Sequence, residues 1–141
     1  MNTYMNQYQN NHIQTASPEK ILIMLYDGAI RFCRQAIEAM AEGNKEVQNE
    51  KISRTMAIVA EFAISLDHEI GGEIATDLDS LYMFMIRELT RANIEKDRKA
   101  LETVEELLSG LRDTWVKAAD IYAKERQVPM QVFGSSIAVE M

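Results

Sequence analysis

Apolar residues recur along this chain in steps of four and three, in four separate runs. In the first, Leu22, Leu25, Ala29, Phe32, Ala36, Ile37 and Met40 follow helical spacing. Ser17-Pro18-Glu19 starts that helix with a capping hydroxyl, a proline at the position where its missing N–H costs nothing, and a carboxylate on the positive end of the helix dipole. Gly43-Asn44 ends it, after about Ala41. A second seam, Ile52, Met56, Val59, Ala63, Leu66 and Ile70, predicts a helix from Lys45 to His68, broken after it by Gly71-Gly72. The third, Ile74, Leu78, Leu81, Met85, Leu89 and Ala92, predicts a helix over Thr76 to Asn93. The fourth, Leu101, Val104, Leu108, Leu111, Trp115, Ala118 and Tyr122, predicts a helix over Arg98 to Glu125, with Asp97 placed to cap it. Short links force sequential antiparallel neighbours, and the heptad-like repeat selects shallow crossing angles. The expected fold is all-α: an antiparallel up-down-up-down four-helix bundle over residues 17–125. A short N-terminal arm, residues 1–16, precedes it and a tail, residues 126–141, follows.

The seams account for only part of the apolar pattern. Ile21 to Leu25 is a continuous apolar run, Ile58 and Phe62 widen the second helix, and Tyr82, Met83, Phe84 and Ile86 widen the third. A helix apolar around much of its girth has to be covered on more than one side. Nine methionines are many for 141 residues, and flexible thioethers suit surfaces that accept an amphipathic partner helix. Two readings stay open at this point: grooves for a partner, or a wide core or homodimer interface. Gly28 inside the first helix costs about 1 kcal/mol relative to alanine and is expected where a neighbour packs closely.

Charge and chemistry narrow the function. A net charge of −7 argues against nucleic acid and against an anionic membrane surface as partner. Cys33 is the sole cysteine, which excludes an internal disulfide framework and fits a reducing compartment. No signal peptide is evident, and the longest mostly apolar stretch, Met56 to Leu66, is too short for membrane insertion. A soluble, cytosolic protein is the expectation. A di-metal bundle site needs Glu-x-x-His pairs, and neither His12 nor His68 has a glutamate three residues before it. Asp67-His68-Glu69 reads as a solvated polar cluster and Cys33 as a small buried hydrophobe. No enzyme, no metal site and no cofactor are expected.

Several stretches carry a likeness beyond physical pattern. Tyr8, then Ile13-x-Thr15-Ala16-Ser17-Pro18-Glu19 and Met24-Leu25-Tyr26-Asp27-Gly28-Ala29, resemble the N-terminal signature of FliS, the flagellin export chaperone family. The resemblance continues through Gly71-Gly72-Glu73-Ile74-Ala75, Leu78-Asp79-Ser80-Leu81-Tyr82, Met85-Ile86-Arg87, Ala92-Asn93 and Leu111-Arg112-Asp113-Thr114-Trp115. It spans roughly residues 4 to 120 in order.

The resemblance implies a cytosolic four-helix-bundle chaperone that binds the disordered C-terminal segment of flagellin. Such a protein prevents premature polymerisation and delivers its client to the flagellar type III export apparatus, with the export gate as a further partner. It implies a cap made of Tyr8, Ile13, Thr15, Ala16, Ser17 and Pro18. The client groove would draw on surplus apolar positions: Leu22, Leu25, Tyr26, Ile58, Phe62, Leu78, Tyr82, Met85 and Ile86. Gly28, Arg112 and Trp115 read instead as bundle packing. A monomer or weak homodimer is expected; the alternative is a helical adaptor or homodimeric bundle with a different helical partner. The tail from Val128 departs from the family's pattern.

Overall fold

The computed structural model describes residues 17–125 and 132–133. Four helices follow one another: α1 (Pro18–Ala41), α2 (Lys45–Ser65), α3 (His68–Glu95) and α4 (Arg98–Glu125). Each packs against its sequence neighbours, and α4 returns to α1, which closes a four-sided antiparallel bundle.

Local chemistry sets the helix starts. The Ser17 hydroxyl accepts a hydrogen bond from the Lys20 N–H at 3.2 Å, and Pro18 occupies the first helical position. The Asn44 side chain accepts from the Val47 N–H at 3.2 Å, and the Asp97 carboxylate accepts from the Ala100 N–H at 3.2 Å. Between α1 and α2 the chain turns through Gly43 at φ +73°, so the Asn44 N–H can reach the Ala39 carbonyl at 2.9 Å. Lys96 turns the α3–α4 link at φ +55°, and the Asp97 N–H donates to the Ala92 carbonyl.

The α2–α3 junction differs from the sequence expectation. The second helix stops at Ser65 rather than His68, because Leu66 becomes extended at φ −63°, ψ 136°. Asp67-His68-Glu69 is then a helix start: the Asp67 carboxylate accepts from the Ile70 N–H at 2.9 Å. Ile70 and Ile74, expected in the seams, are 61% and 63% exposed. Instead of separating two helices, Gly72 kinks α3 at φ +51°, ψ −125°, a conformation that glycine tolerates without steric cost.

The core is continuous along the bundle. On α1 it takes Ile21, Leu22, Tyr26, Ala29, Ile30, Cys33 and Ala36, so Leu25 and Phe32 lie beside the buried stripe rather than in it. Phe32 is half-buried, with the cationic groups of Arg31, Lys51 and Arg54 at 5.2, 5.5 and 5.6 Å from its ring centroid. Cys33 is fully buried, and its thiol donates to the Leu101 carbonyl at 3.3 Å. Burial, reinforced by the nearby Glu105 carboxylate, pushes that thiol up to about 12, which keeps it protonated and unreactive. Gly28 is buried, but a Cβ there would lie 3.7 Å from Ile58 Cδ1, an ordinary contact. The site therefore has room for a methyl group.

Candidate functional site

Antiparallel topology brings the start of α1, the end of α2, the start of α3 and the end of α4 to the same end of the bundle. One ring from each helix converges there. Tyr26 of α1 stacks on Phe62 of α2 at 4.3 Å and 17°, and Tyr82 of α3 tilts against Phe62 at 5.5 Å. Trp115 of α4 is buried beside them. A fifth ring comes from the tail: Phe133 meets Trp115 edge-on at 5.5 Å and Phe62 at 6.5 Å.

Two polar atoms are managed inside this layer. The Tyr26 and Tyr82 hydroxyls share a hydrogen bond at 2.5 Å, which pairs groups that would otherwise be costly to bury. Burial pushes the Tyr26 phenol up to about 12; the hydrogen bond with Tyr82 and the nearby Trp115 indole N–H oppose that rise. Tyr82 is pushed up further, by burial and then by the adjacent Tyr26 oxygen. Both phenols stay neutral at any physiological pH, so their role is packing and not acid–base chemistry. The Trp115 indole N–H faces the Tyr26 hydroxyl without meeting the geometry of a full hydrogen bond.

The tail is fastened by backbone and side chain together. The Asp67 N–H donates to the Val132 carbonyl at 2.7 Å, and Leu66 pairs with Phe133 in an antiparallel bridge. This is why Leu66 is extended and α2 ends early. Val132 lies against Gly71, where a Cβ would come within 2.6 Å of Val132 Cγ2 and 2.8 Å of Ala75 Cβ. Val132 and Phe133 are each only 6% exposed.

The candidate groove positions divide into two groups. Leu22, Tyr26, Phe62, Leu78, Tyr82 and Met85 are buried core residues in this structure, because they fill the centre that the rings occupy. Leu25, Ile58 and Ile86 are half-buried and packed against that core from outside. They do not form one strip. Ile58 sits beside Gly28 on the α1 side of α2. Ile86 lies one turn from Thr90, whose hydroxyl approaches Met56 on the α3 side. Of the cap residues, Ser17 and Pro18 are exposed at the head of α1, while Tyr8, Ile13, Thr15 and Ala16 lie outside the described residues.

Sequence reasoning missed Val132 and Phe133, which lie in a stretch without helical period, and missed several exposed apolar side chains. Ile64 is 73% exposed and, with Ile70, Ile74 and Met24, adds apolar surface at the aromatic end. By contrast, an open cleft of about 600 Å³ between α1 and α4 is lined by Asp27, Arg31, Arg34, Glu38, Arg112 and Asp113. Arg112 pairs with Asp27 across it at 2.8 Å, and Arg34 with Glu105 at 3.1 Å. That balanced, charged lining suits solvent and inter-helix ion pairs rather than an apolar ligand. Among the described residues no cluster of His, Cys, Asp and Glu could hold a metal ion, and no helix is long and apolar enough to cross a membrane.

Comparison with known proteins agrees with the likeness read from the sequence. The family model described as Flagellar protein FliS matches residues 1–122. The flagellar secretion chaperone FliS of Salmonella typhimurium is 38% identical over 104 residues, 73% of this chain and 77% of its own length. Its counterpart in Vibrio cholerae is 34% identical over 115 residues, 82% of this chain and 85% of its own. That of Bacillus subtilis is 33% identical over 119 residues, 84% and 88% respectively. The match to the family model stops short of Val132 and Phe133. From the head of α1 almost to the end of α4, this chain belongs to the FliS family of flagellar secretion chaperones.

Proposed function

We propose that this protein binds the disordered C-terminal segment of flagellin in the cytosol, keeps it from polymerising prematurely and delivers it to the flagellar type III export apparatus. Family membership carries this reading. The pattern of burial supports it: after the core is filled, Leu25, Ile58 and Ile86 remain half-buried and Met24, Ile64, Ile70 and Ile74 remain exposed.

The mechanism is coupled folding and binding rather than catalysis. Ordering a client residue costs about 1–2 kcal/mol of backbone entropy. Burying apolar surface returns about 25 cal/mol per Å², so the client needs a long apolar contact rather than one pocket. Client segments laid on both the Ile58 and the Ile86 sides of α2, each as an amphipathic helix, provide such a contact between them.

Tyr8, Ile13 and the Thr15–Pro18 turn act in this reading as a cap that competes with the client, since the arm joins α1 at the aromatic end. A cap docked nine-tenths of the time lowers apparent affinity about tenfold. The test is calorimetry with a flagellin C-terminal peptide, alongside circular dichroism. Binding with a negative heat-capacity change and a gain of helix is expected. Tyr8→Ala combined with Ile13→Ala should tighten it. No binding at all would defeat the client assignment, whereas weaker binding by the double variant would make the arm a contact surface rather than a competitor.

A further inference from the structure

The α2–α3 elbow holds a feature of its own, built from residues that no bundle seam requires. Leu66 presents an extended backbone, the Asp67 N–H is directed at a carbonyl outside the helices, and Gly71 leaves an unfilled Cβ position beside them. Phe62 and Trp115 add an aromatic slot next to that backbone edge. These are the elements by which a short extended peptide is recognised: main-chain pairing for hold, a side-chain pocket for selection.

From this geometry we propose that the elbow is an exchangeable receptor for an extended aliphatic–aromatic dipeptide, occupied in the resting protein by the chain's own Val132–Phe133. In that position the tail acts as a latch. It ties the chain beyond α4 to the α2–α3 junction and closes the Phe62–Trp115 gap at the aromatic end.

The strength of the contact argues for exchange rather than permanent structure. Only two side chains are buried in it, Val132 against Gly71 and Phe133 against Phe62 and Trp115, and only one bridge and one 2.7 Å hydrogen bond hold the backbone. Residues 126–131 join α4 to the site, and a short tether of this kind gives an effective concentration of about millimolar order. A site too weak to hold a free peptide at micromolar concentration is therefore still filled by its tethered one. It yields readily to a segment with additional contacts. The latch does not depend on which client the bundle carries.

Trp115 is the only tryptophan and touches Phe133, so its fluorescence reads the site directly. Full-length Phe133→Ala should keep the helical dichroism while Trp115 emission shifts red and acrylamide quenching rises several-fold. Gly71→Ala, which sets a methyl group against Val132 from the receptor side, should give the same optical change with the tail unaltered. A synthetic peptide of residues 128–136 at millimolar concentration should reverse the change in Phe133→Ala and leave the native protein unaffected. Unchanged Trp115 emission in Phe133→Ala would overturn the latch. An emission change that the peptide never reverses would overturn the exchangeable receptor. A native dimer by light scattering that Phe133→Ala converts to monomer would show the tail docking on a second copy instead, and would equally overturn the intramolecular latch.

Discussion

The two ends of this bundle are built on different principles. Toward the far end, where the α1–α2 and α3–α4 links turn, the helices meet through alanines, Ala36, Ala39, Ala92 and Ala100, and aliphatic side chains, Ile52, Leu89 and Leu101, with no aromatic layer. Conventional caps, a Gln48–Asn93 hydrogen bond at 3.0 Å and an Arg91–Asp97 ion pair at 2.6 Å complete that end. One large apolar side chain there, Ile94, is left 76% exposed. The near end is filled by Tyr26, Phe62, Tyr82, Trp115 and Phe133, carries a kinked helix start at Gly72, and receives the tail. The contrast lies in the rings and the docked tail, which only the near end has; exposed apolar side chains occur at both, Ile64, Ile70 and Ile74 near the aromatic layer and Ile94 beside the α3–α4 link.

Removing the central ring should have the largest effect. Phe62→Ala deletes a fully buried side chain that touches Tyr26, Tyr82 and Phe133, and should cost about 3–5 kcal/mol in urea unfolding. Next in size is Tyr82→Phe, which leaves the buried Tyr26 hydroxyl without its partner, at a cost of about 1–3 kcal/mol. Adding Tyr26→Phe should recover much of that loss, because both polar atoms are then gone. A double variant as weak as the sum of the singles would mean that the hydroxyl pair is not a unit.

Two glycines sharpen the comparison further. Gly28→Ala should stabilise by up to about 1 kcal/mol, since the added methyl meets Ile58 at an ordinary distance and alanine is the better helix former. Gly28→Leu, by contrast, should overpack the same contact and lose about 1–3 kcal/mol. If both variants melt like the parent, Gly28 does not face a packed neighbour.

The smallest expected effect lies at the far end. The Arg91 guanidinium, followed by the Ala100 N–H, holds the Asp97 carboxyl below its ordinary value. A carboxyl depressed in the folded state contributes stability above its unfolded pKa of about 3.9 and loses it as pH falls through the lower folded value. Asp97→Asn should therefore lower stability slightly at neutral pH, and the difference from the parent should vanish as pH falls below the folded value, which flattens a small part of the acid limb. An identical acid limb in both proteins would show that the pair carries no linkage.

Much of the fold was legible because helix starts are local chemistry. Ser17-Pro18 and Asp97 act as their residue types require, within one turn of themselves. Asp67 is the same kind of cap, yet it was hidden because Leu66 and Ile70 continue the heptad spacing through it. What ends α2 is Phe133, more than sixty residues away, and no local pattern records that pairing. The candidate groove was blurred for a related reason. Tyr26, Phe62 and Tyr82 look surplus on a helical wheel, but the bundle needs them to fill a wide aromatic centre, which only the packed arrangement reveals. Leu25, Ile58 and Ile86 remain as outward-packed positions from the same list.

Hydrogen exchange of the full-length protein, with and without a flagellin C-terminal segment, tests the division between the two ends most directly. Client binding should slow exchange at the aromatic end, in residues 18–30, 58–75 and 78–86. The far links, residues 41–45 and 95–98, should be left unchanged. Protection confined to the far links, or absent from the aromatic end, would contradict the assignment of function to that end of the bundle.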